Sequence, residues 1–221
     1  MNKQMKNFCD NKKKDLDYHK EIKYYTLFSP ITILLGPNGT GKSASIKLIK
    51  DDLKRLDYNV VYYSTSNDDL VKKYSSPFKF RPSAIRAAFL SEGERMKESF
   101  TTWVEEEMIP AILKDRNDLF ILIDEADSGL SLDKMYETFC DIIFIIKQEL
   151  KNNRRIKVVI SANSYELAEL FNSEESGTVS YIWVPTEEYI ILGSYNKFKK
   201  RYIEYYEEMN KNRKEDWLWE Q

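Results

Sequence analysis

Cysteine, histidine and glycine are scarce in this chain of 221 residues, which contains two, one and seven of them respectively. Two cysteines, Cys9 and Cys140, cannot form the disulfide framework of a small secreted domain, and no Cys/His cluster has the spacing of metal ligands. No apolar run approaches the roughly 20 residues that a membrane span needs, and no apolar stretch follows the N-terminal lysines as it would in a secretory signal. These features favour a cytoplasmic globular protein that does not enter the membrane.

The chain also lacks an excess of charge of either sign. Its 34 Lys and Arg residues against 36 Asp and Glu residues give a formal net charge of −2. Proteins that hold DNA by neutralising phosphates are usually far more basic, so the charge does not indicate DNA binding, although it leaves DNA open as a partner. The length and the 42% of hydrophobic residues suit one domain. We predict a single domain over 1–221, with a flexible arm over 1–20 and a charged, Trp-containing tail over 213–221.

Short apolar runs alternate with stretches of helical periodicity. The runs predict strands at 31–35, 59–63, 119–123 and 156–160, and a final hairpin at 179–184 and 189–192. Helices are predicted after Gly41, over 91–114 with a kink or break near Pro110, over 133–150 and 165–171, and from the hairpin to about Asn212. This alternation predicts an α/β fold with a mostly parallel sheet flanked by helices and a small antiparallel β element.

Three of the seven glycines lie close together between the first predicted strand and the first predicted helix. The segment is Gly36-Pro37-Asn38-Gly39-Thr40-Gly41-Lys42-Ser43, which matches the phosphate-loop pattern G-x-x-x-x-G-K-[ST]. Its N–H groups can form an anion nest, and the following helix presents its positive end to phosphates. We predict that Lys42 contacts the β/γ phosphates and that Ser43 binds Mg²⁺, so the expected ligands of this P-loop NTPase fold are ATP and Mg²⁺.

Two carboxylates, Asp124 and Glu125, follow the hydrophobic strand at 119–123. Asp124 is expected to hold Mg²⁺ opposite Ser43, because the strand brings it to the phosphate loop. Glu125 is then placed to polarise a water for in-line attack on the γ-phosphate. The letters from Asp124 to Asp127 also spell the DEAD-box helicase motif, but the phosphate loop does not have the Thr-rich form of those helicases.

Two further segments flank the acidic strand: Leu90-Ser91-Glu92-Gly93-Glu94 before it and Asp127-Ser128-Gly129-Leu130-Ser131 after it. Ser91 and Glu94 have the spacing of a helix capping box, and a helix N-terminus can bind an anion. In this order, the segments resemble the signature motif and D-loop of compact, non-transporter ABC-type ATPases (RecF-like, chromosome-structural and AAA-family ATPases). The resemblance implies a head-to-tail homodimer that sandwiches two ATP molecules, with Ser91, Gly93 and Glu94 contacting the ATP of the opposite subunit.

The chain departs from this family at three points. The 44–89 interval leaves no room for the Gln-bearing loop and helical subdomain of transporter subunits, and Asn67 is the candidate replacement as an Mg²⁺-binding amide. Asn163 follows the strand at 156–160, where many members have a histidine; it can hydrogen-bond the γ-phosphate or a water but cannot carry a proton. An adenine-stacking aromatic is not identified, and Tyr18, Tyr24 and Tyr25 are candidates by position alone.

The leading interpretation is therefore a slow ATPase that dimerises on ATP and switches a protein partner or a DNA-processing or defence complex, with Glu125, Lys42 and Asn163 as catalytic residues. Three alternatives stay open. They are a nucleotide-gated binding module with little hydrolysis, a small P-loop kinase and a transporter nucleotide-binding subunit.

Overall fold

The structure is a computed structural model that describes residues 29–65, 91–114, 118–128, 130–152, 155–172 and 179–219. Its strands form one six-stranded sheet in the order β2-β3-β4-β1-β5-β6. The strands are β1 (Ile31–Leu35), β2 (Asn59–Ser64), β3 (Leu119–Asp124), β4 (Ile156–Ala162), β5 (Val179–Trp183) and β6 (Glu188–Ile190). Neighbouring strands from β2 to β5 are parallel, and β6 pairs antiparallel with β5. The predicted α/β fold with a mostly parallel sheet is confirmed.

Helices cover both faces of this sheet. They are α1 (Lys42–Arg55), α2 (Glu92–Trp103), α3 (Ile109–Lys114), α4 (Leu132–Lys151), α5 (Tyr165–Phe171) and α6 (Tyr195–Trp219). Alternate residues of a strand face opposite sides of the sheet. Leu34 of β1 therefore packs with α1 on one face, whereas its neighbour Ile33 joins the larger cluster with α2, α4 and α5 on the other. Because both faces are covered, every residue of β1 and β3 is buried, which explains their unbroken apolar runs.

The predicted helix over 91–114 is interrupted. A π turn at Val104–Met108 separates α2 from α3, and within it the Ile109 N–H donates to the Val104 carbonyl five residues earlier. Pro110 has no N–H with which to continue the α-helical ladder, so the wider turn precedes it. The prediction of a break near Pro110 is thus right in position, while the type of break is a π turn.

The last helix differs from its prediction in length. It continues to Trp219 rather than ending near Asn212, so it runs through most of the tail over 213–221. The arm over 1–20 and the residues Asn67, Tyr18, Tyr24 and Tyr25 lie outside the described part of the chain. No helix within the described ranges is long and apolar enough to cross a membrane.

The topology brings the predicted site residues together at one edge of the sheet. Because β1, β3 and β4 are parallel neighbours, their carboxyl ends share an edge, and β4 lies between the other two. The phosphate-loop segment follows β1, Asp124 ends β3 and Glu125 follows it, and Asn163 follows β4. Ligands of open parallel sheets bind at this edge, which is therefore the candidate functional site.

Candidate functional site

The loop after β1 leads into a helix whose N-terminus has no cap. Gly41 precedes α1 with a φ of 91°, a left-handed conformation that glycine adopts without strain, and no side chain caps the helix. The first turn of α1 contains no acidic residue. The N–H groups at the start of α1 therefore have no side-chain cap and no carboxylate from their own first turn, as suits a phosphate site.

Gly36 is fixed by close packing rather than by a turn alone. A Cβ at this position would meet Pro185 Cδ at 2.9 Å and Thr40 Oγ1 at 3.0 Å. The Val184 N–H also donates to the Leu35 carbonyl at 2.8 Å, which ties the β5–β6 turn to the end of β1. Within the loop, the Thr40 hydroxyl donates to the Pro37 carbonyl at 2.9 Å, while Asn38 and Gly39 are exposed.

Lys42 is held inside the curve of the loop. Its Nζ donates to the carbonyl oxygens of Gly36 at 2.6 Å and Pro37 at 2.7 Å, and the side chain is 5% exposed. Burial lowers the pKa of Lys42 to about 8, and the carboxylates of Asp127, Asp124 and Glu125 oppose that shift. The ammonium is thus close to three carboxylates at the edge where β1 and β3 end.

Asp124 is fully buried, and its two oxygens differ in surroundings. Oδ1 accepts a hydrogen bond of 2.7 Å from the Ser161 hydroxyl, whereas Oδ2 is buried without a hydrogen-bond partner among the described residues. Burial raises the pKa of Asp124, and the nearby hydroxyls of Ser161 and Ser43 oppose the rise. A buried carboxylate oxygen without a donor costs free energy unless a proton or cation meets it.

These surroundings fit Mg²⁺. Ser43 and Asp124 supply hydroxyl and carboxylate oxygens, the hard ligands that Mg²⁺ prefers. Among the described residues, no group of three or more His, Cys, Asp and Glu side chains could hold a metal without other ligands. A cation held here would therefore complete its coordination with water and substrate phosphates, as Mg²⁺ commonly does.

Glu125 has a strained backbone that one hydroxyl helps to fix. Its φ of 54° is left-handed, which is costly for a residue with a side chain and is typical of functional sites. Its N–H donates at 2.7 Å to the Ser161 hydroxyl that also holds Asp124. Its carboxylate Oε2 accepts a hydrogen bond of 3.0 Å from the hydroxyl of Thr65, which follows β2.

Asn163 is fixed at the end of β4 by Asp127. Asp127 Oδ2 accepts hydrogen bonds from the backbone N–H groups of Asn163 at 2.9 Å and Ser164 at 2.6 Å. Asp127 Oδ1 accepts from the Asn163 side-chain amide at 3.3 Å. The side-chain oxygen of Asn163 is buried without a hydrogen-bond partner in the described ranges. Asn163 therefore has an acceptor available at the edge that carries Glu125 and Lys42.

The capping box at Ser91 is closed. The Glu94 carboxylate accepts from the Ser91 N–H at 2.8 Å and from its hydroxyl at 2.6 Å, and the Glu94 N–H donates to the Ser91 hydroxyl at 3.4 Å. Both residues are exposed, and Gly93 lies in the same first turn of α2. The segment predicted to make the second phosphate contact therefore forms a closed helix cap in the single chain, and the Lys97–Glu137 ion pair of 2.5 Å joins α2 to α4.

Several residues of this edge escaped the sequence analysis. Thr65, Ser161 and Tyr202 each hold a predicted site residue through a hydroxyl group. Asp127 was assigned to the D-loop-like segment without a role in the site, yet it is the carboxylate with the largest influence on Lys42. The position of Ser161 at the end of a predicted strand was a usable signal, whereas Tyr202 had none.

Comparison with known proteins identifies the class of this site. Residues 29–171 match the model of the family described as AAA domain. Among solved structures, AMPPCP-bound DnaA from Aquifex aeolicus is 15% identical over 74% of this chain and 45% of DnaA, with a TM-score of 0.41. The ATP-binding cassette MJ0796, in a dimeric post-hydrolysis state with ADP and Pi, is 12% identical over 76% of this chain and 88% of its own, with a TM-score of 0.42.

A third similar structure is the HORMA:CdnC:Trip13 complex from E. coli MS115-1. It is 14% identical over 74% of this chain and 50% of the matched chain, with a TM-score of 0.36. The chain thus spans about half the length of the matched Trip13 complex chain and of DnaA. No curated protein matches the sequence.

Proposed function

The chain belongs to the AAA domain family of P-loop NTPases, and from that membership we propose that it binds ATP with Mg²⁺ and hydrolyses it slowly. One observation carries the proposal. The buried Asp124, with an oxygen that has no hydrogen-bond donor in the described part of the chain, lies at the same sheet edge as Lys42 and Glu125. A cation ligand, a phosphate-binding ammonium and a base are the groups that phosphoryl transfer to water needs.

Lys42 and Ser43 bind the triphosphate in this proposal. An ammonium has three donors, and two of those on Lys42 are taken by the carbonyls of Gly36 and Pro37. The third is available for a β- or γ-phosphate oxygen, while the uncapped start of α1 offers its N–H groups to the same phosphates. Ser43 and Asp124 would hold Mg²⁺, which supplies charge neutralisation and Lewis acidity.

Glu125 is proposed as the general base. A carboxylate can orient a water and take its proton as the water attacks the γ-phosphate. Its Oε2 accepts a hydrogen bond from Thr65, so one oxygen is engaged while the other can take a proton. Asn163 can accept a hydrogen bond from the same water through its side-chain oxygen, but an amide carries no proton. Slow turnover follows because Glu125 has no second proton carrier beside it in this scheme.

Glu125→Gln tests the ATPase proposal directly. We expect turnover to fall by at least about 100-fold, because general-base catalysis contributes this much or more. The affinity for ATP·Mg²⁺ should be retained, because Lys42, Ser43 and Asp124 are unchanged. Phosphate release and nucleotide titration measure the two quantities, and Glu105→Gln, an exposed carboxylate of the π turn, is the matched control. Equal turnover of Glu125→Gln and wild type contradicts the proposal.

One contact favours a second candidate function, a nucleotide-gated binding module that hardly hydrolyses ATP. The hydrogen bond from Thr65 to Glu125 holds the carboxylate toward the end of β2. In that function Glu125 stabilises a nucleotide-bound state rather than activating water. Thr65→Val separates the two candidates, since it frees the carboxylate. A rise in turnover favours a restrained ATPase, and unchanged negligible turnover favours the binding module.

We further propose the ATP-dependent homodimer that the ABC-type resemblance implies. In it the exposed Ser91, with Gly93 and Glu94, contacts the nucleotide of the opposite subunit, and the dimer is the state that a protein partner or a DNA-processing or defence complex reads. Light scattering of Glu125→Gln with and without ATP·Mg²⁺ tests this step. A change from one subunit mass to two that depends on ATP supports the dimer, and a constant mass contradicts it.

A further inference from the structure

The C-terminal helix α6 reaches the candidate site through one side chain. The ring of Tyr202 packs 5.2 Å from that of Trp183 and 4.9 Å from that of Phe198, measured between centroids. Phe198 in turn packs 5.6 Å from Tyr165 at the start of α5. These contacts hold the first turns of α6 against the end of β5 and the start of α5. Beyond the aromatic cluster, the Tyr202 hydroxyl donates a hydrogen bond of 2.5 Å to the backbone carbonyl of Asn163.

This hydrogen bond completes a clamp on one residue. Asp127 holds the Asn163 N–H and its side-chain amide, and Tyr202 holds its carbonyl. The side-chain oxygen of Asn163 is the group left without a partner among the described residues. The direction of this oxygen depends on the backbone at Asn163, because only two single bonds separate the side-chain amide from the backbone. Asp127 and Tyr202 hold that backbone in place.

The Tyr202 hydroxyl is a permanent donor. Burial raises its pKa, and the Asp127 carboxylate raises it further, so the phenol stays protonated over the working pH range. Asp127 is also the carboxylate that acts most strongly on Lys42. Hydrogen bonds therefore link α6 to Asp127 through Tyr202 and Asn163, and the charge of Asp127 acts on Lys42.

We propose that Tyr202 is a positioning residue for Asn163, so that the docking of α6 sets the rate of hydrolysis without setting the affinity for nucleotide. The inference rests on the proposed ATPase function, in which the side-chain oxygen of Asn163 accepts a hydrogen bond from the attacking water. In this proposal α6 affects turnover through Tyr202 and Asn163, in addition to the roles of the phosphate loop and β3. We expect nucleotide binding to be unaffected, because Tyr202 contacts Asn163, Trp183 and Phe198, which lie outside the phosphate loop.

Tyr202→Phe tests this role because it keeps the ring contacts and removes the hydroxyl. We expect kcat to fall by about 3- to 10-fold, the effect of one neutral hydrogen bond, with KM and the affinity for a non-hydrolysable ATP analogue unchanged. Tyr206→Phe is the matched control, since Tyr206 lies one turn later on α6 and is 51% exposed. Equal kcat values for Tyr202→Phe and Tyr206→Phe overturn the inference.

A double-mutant cycle distinguishes positioning from general destabilisation. In an Asn163→Ala background the amide is gone, so adding Tyr202→Phe should change kcat no further. An undiminished effect in that background means that Tyr202 acts elsewhere and overturns the inference. The ATPase proposal is judged separately by Glu125→Gln: if that variant loses turnover while Tyr202→Phe does not, the inference alone fails. Absence of turnover in the wild type removes both.

Discussion

Two helices of this domain, α1 and α2, begin in opposite ways, although the sequence analysis assigned phosphate contacts to both N-termini. α1 begins after Gly41 with no side-chain cap and no acidic residue in its first turn. α2 begins after Ser91 with a closed capping box in which Glu94 accepts from Ser91. The first N–H groups of any helix need acceptors from outside its own ladder. At α1 no side chain accepts from them, whereas at α2 the Glu94 N–H donates to the Ser91 hydroxyl.

The difference has a chemical consequence for the proposed dimer. The Ser91 hydroxyl has one proton, and it is donated to Glu94. Phosphate and carboxylate oxygens are both acceptors, so Ser91 cannot donate to both at once. Contact with the ATP of an opposite subunit would require Ser91 to leave Glu94, whereas α1 needs no such exchange. The variants below test whether the N-terminus of α1 binds phosphate more readily than the N-terminus of α2.

Lys42→Met has the largest expected effect, because it removes the charge that accompanies the open helix. We expect ATP affinity to fall by about 10- to 100-fold, the value of a hydrogen bond between charged groups. Titration with a fluorescent ATP analogue measures this loss. Lys54→Met is the matched control, since Lys54 is an exposed lysine in the last turn of α1. Similar affinities for the two variants would mean that the loop binds phosphate without Lys42.

The pH dependence of ATP binding also tests the role of Lys42 at the start of α1. The pKa of Lys42 is about 8, lowered by burial from an ordinary value of 10.5. Above pH 8 the free protein loses the charge that ATP needs, so we expect affinity to fall about tenfold for each further pH unit. Binding should then take up protons, which calorimetry in two buffers of different ionisation enthalpy detects. Lys42→Met should abolish this uptake, and persistence of uptake in that variant contradicts the assignment.

The same pKa has an opposite effect on the stability of the protein without nucleotide. Between pH 8 and 10.5 the unfolded chain keeps the Lys42 proton while the folded chain loses it. Because the unfolded state then binds more protons, stability contributed by this group rises with pH across the window. The cost of burying the charged form is present below that window. Affinity and stability should therefore change in opposite directions as pH rises.

The sequence was sufficient to predict site residues that are adjacent along the chain or that lie at the ends of strands. The phosphate loop occupies 36–43, so its residues identify it without knowledge of the fold. Asp124, Glu125 and Asn163 come from two strands, yet the rule that parallel strands share a carboxyl edge brings them together. The alternation of helices and apolar strands also predicted the sheet, with five of its six strand starts correct and the strand ends within two residues.

The sequence was insufficient where a side chain arrives from a distant element or where one pattern suits two roles. Tyr202 is one of several tyrosines on α6, and no local pattern marks it as the one that reaches Asn163. The N–H of Glu125, whose backbone is left-handed, donates to the Ser161 hydroxyl, which lies on another strand. The Ser91–Glu94 spacing fits both a helix cap and a ligand contact. Its closed form is a property of the fold and not of the spacing.

Ser91→Ala has the smallest expected effect and tests the α2 side of the comparison. Losing an N-cap hydroxyl should lower the melting temperature by about 2–4 °C in a domain of this size. Ser131→Ala is the control, because Ser131 precedes α4 without a side-chain cap bond and should cost less. Equal melting temperatures for the two variants would contradict the cap. In a Glu125→Gln background, Ser91→Ala should also prevent the ATP-dependent doubling of mass, and a dimer that survives it contradicts the composite site.

The pH at which the Ser91→Ala effect disappears identifies its cause. Hydrogen bonds from Ser91 lower the pKa of Glu94 below its ordinary value of 4.5. A lowered pKa of an acid contributes stability above that value, and the contribution is lost as pH falls through the folded-state pKa. The difference in melting temperature between wild type and Ser91→Ala should therefore shrink as pH falls below 4.5. A difference that stays constant through this range would mean that Ser91 stabilises α2 without the Glu94 carboxylate, and that the start of α2 is less tightly closed than its hydrogen bonds indicate.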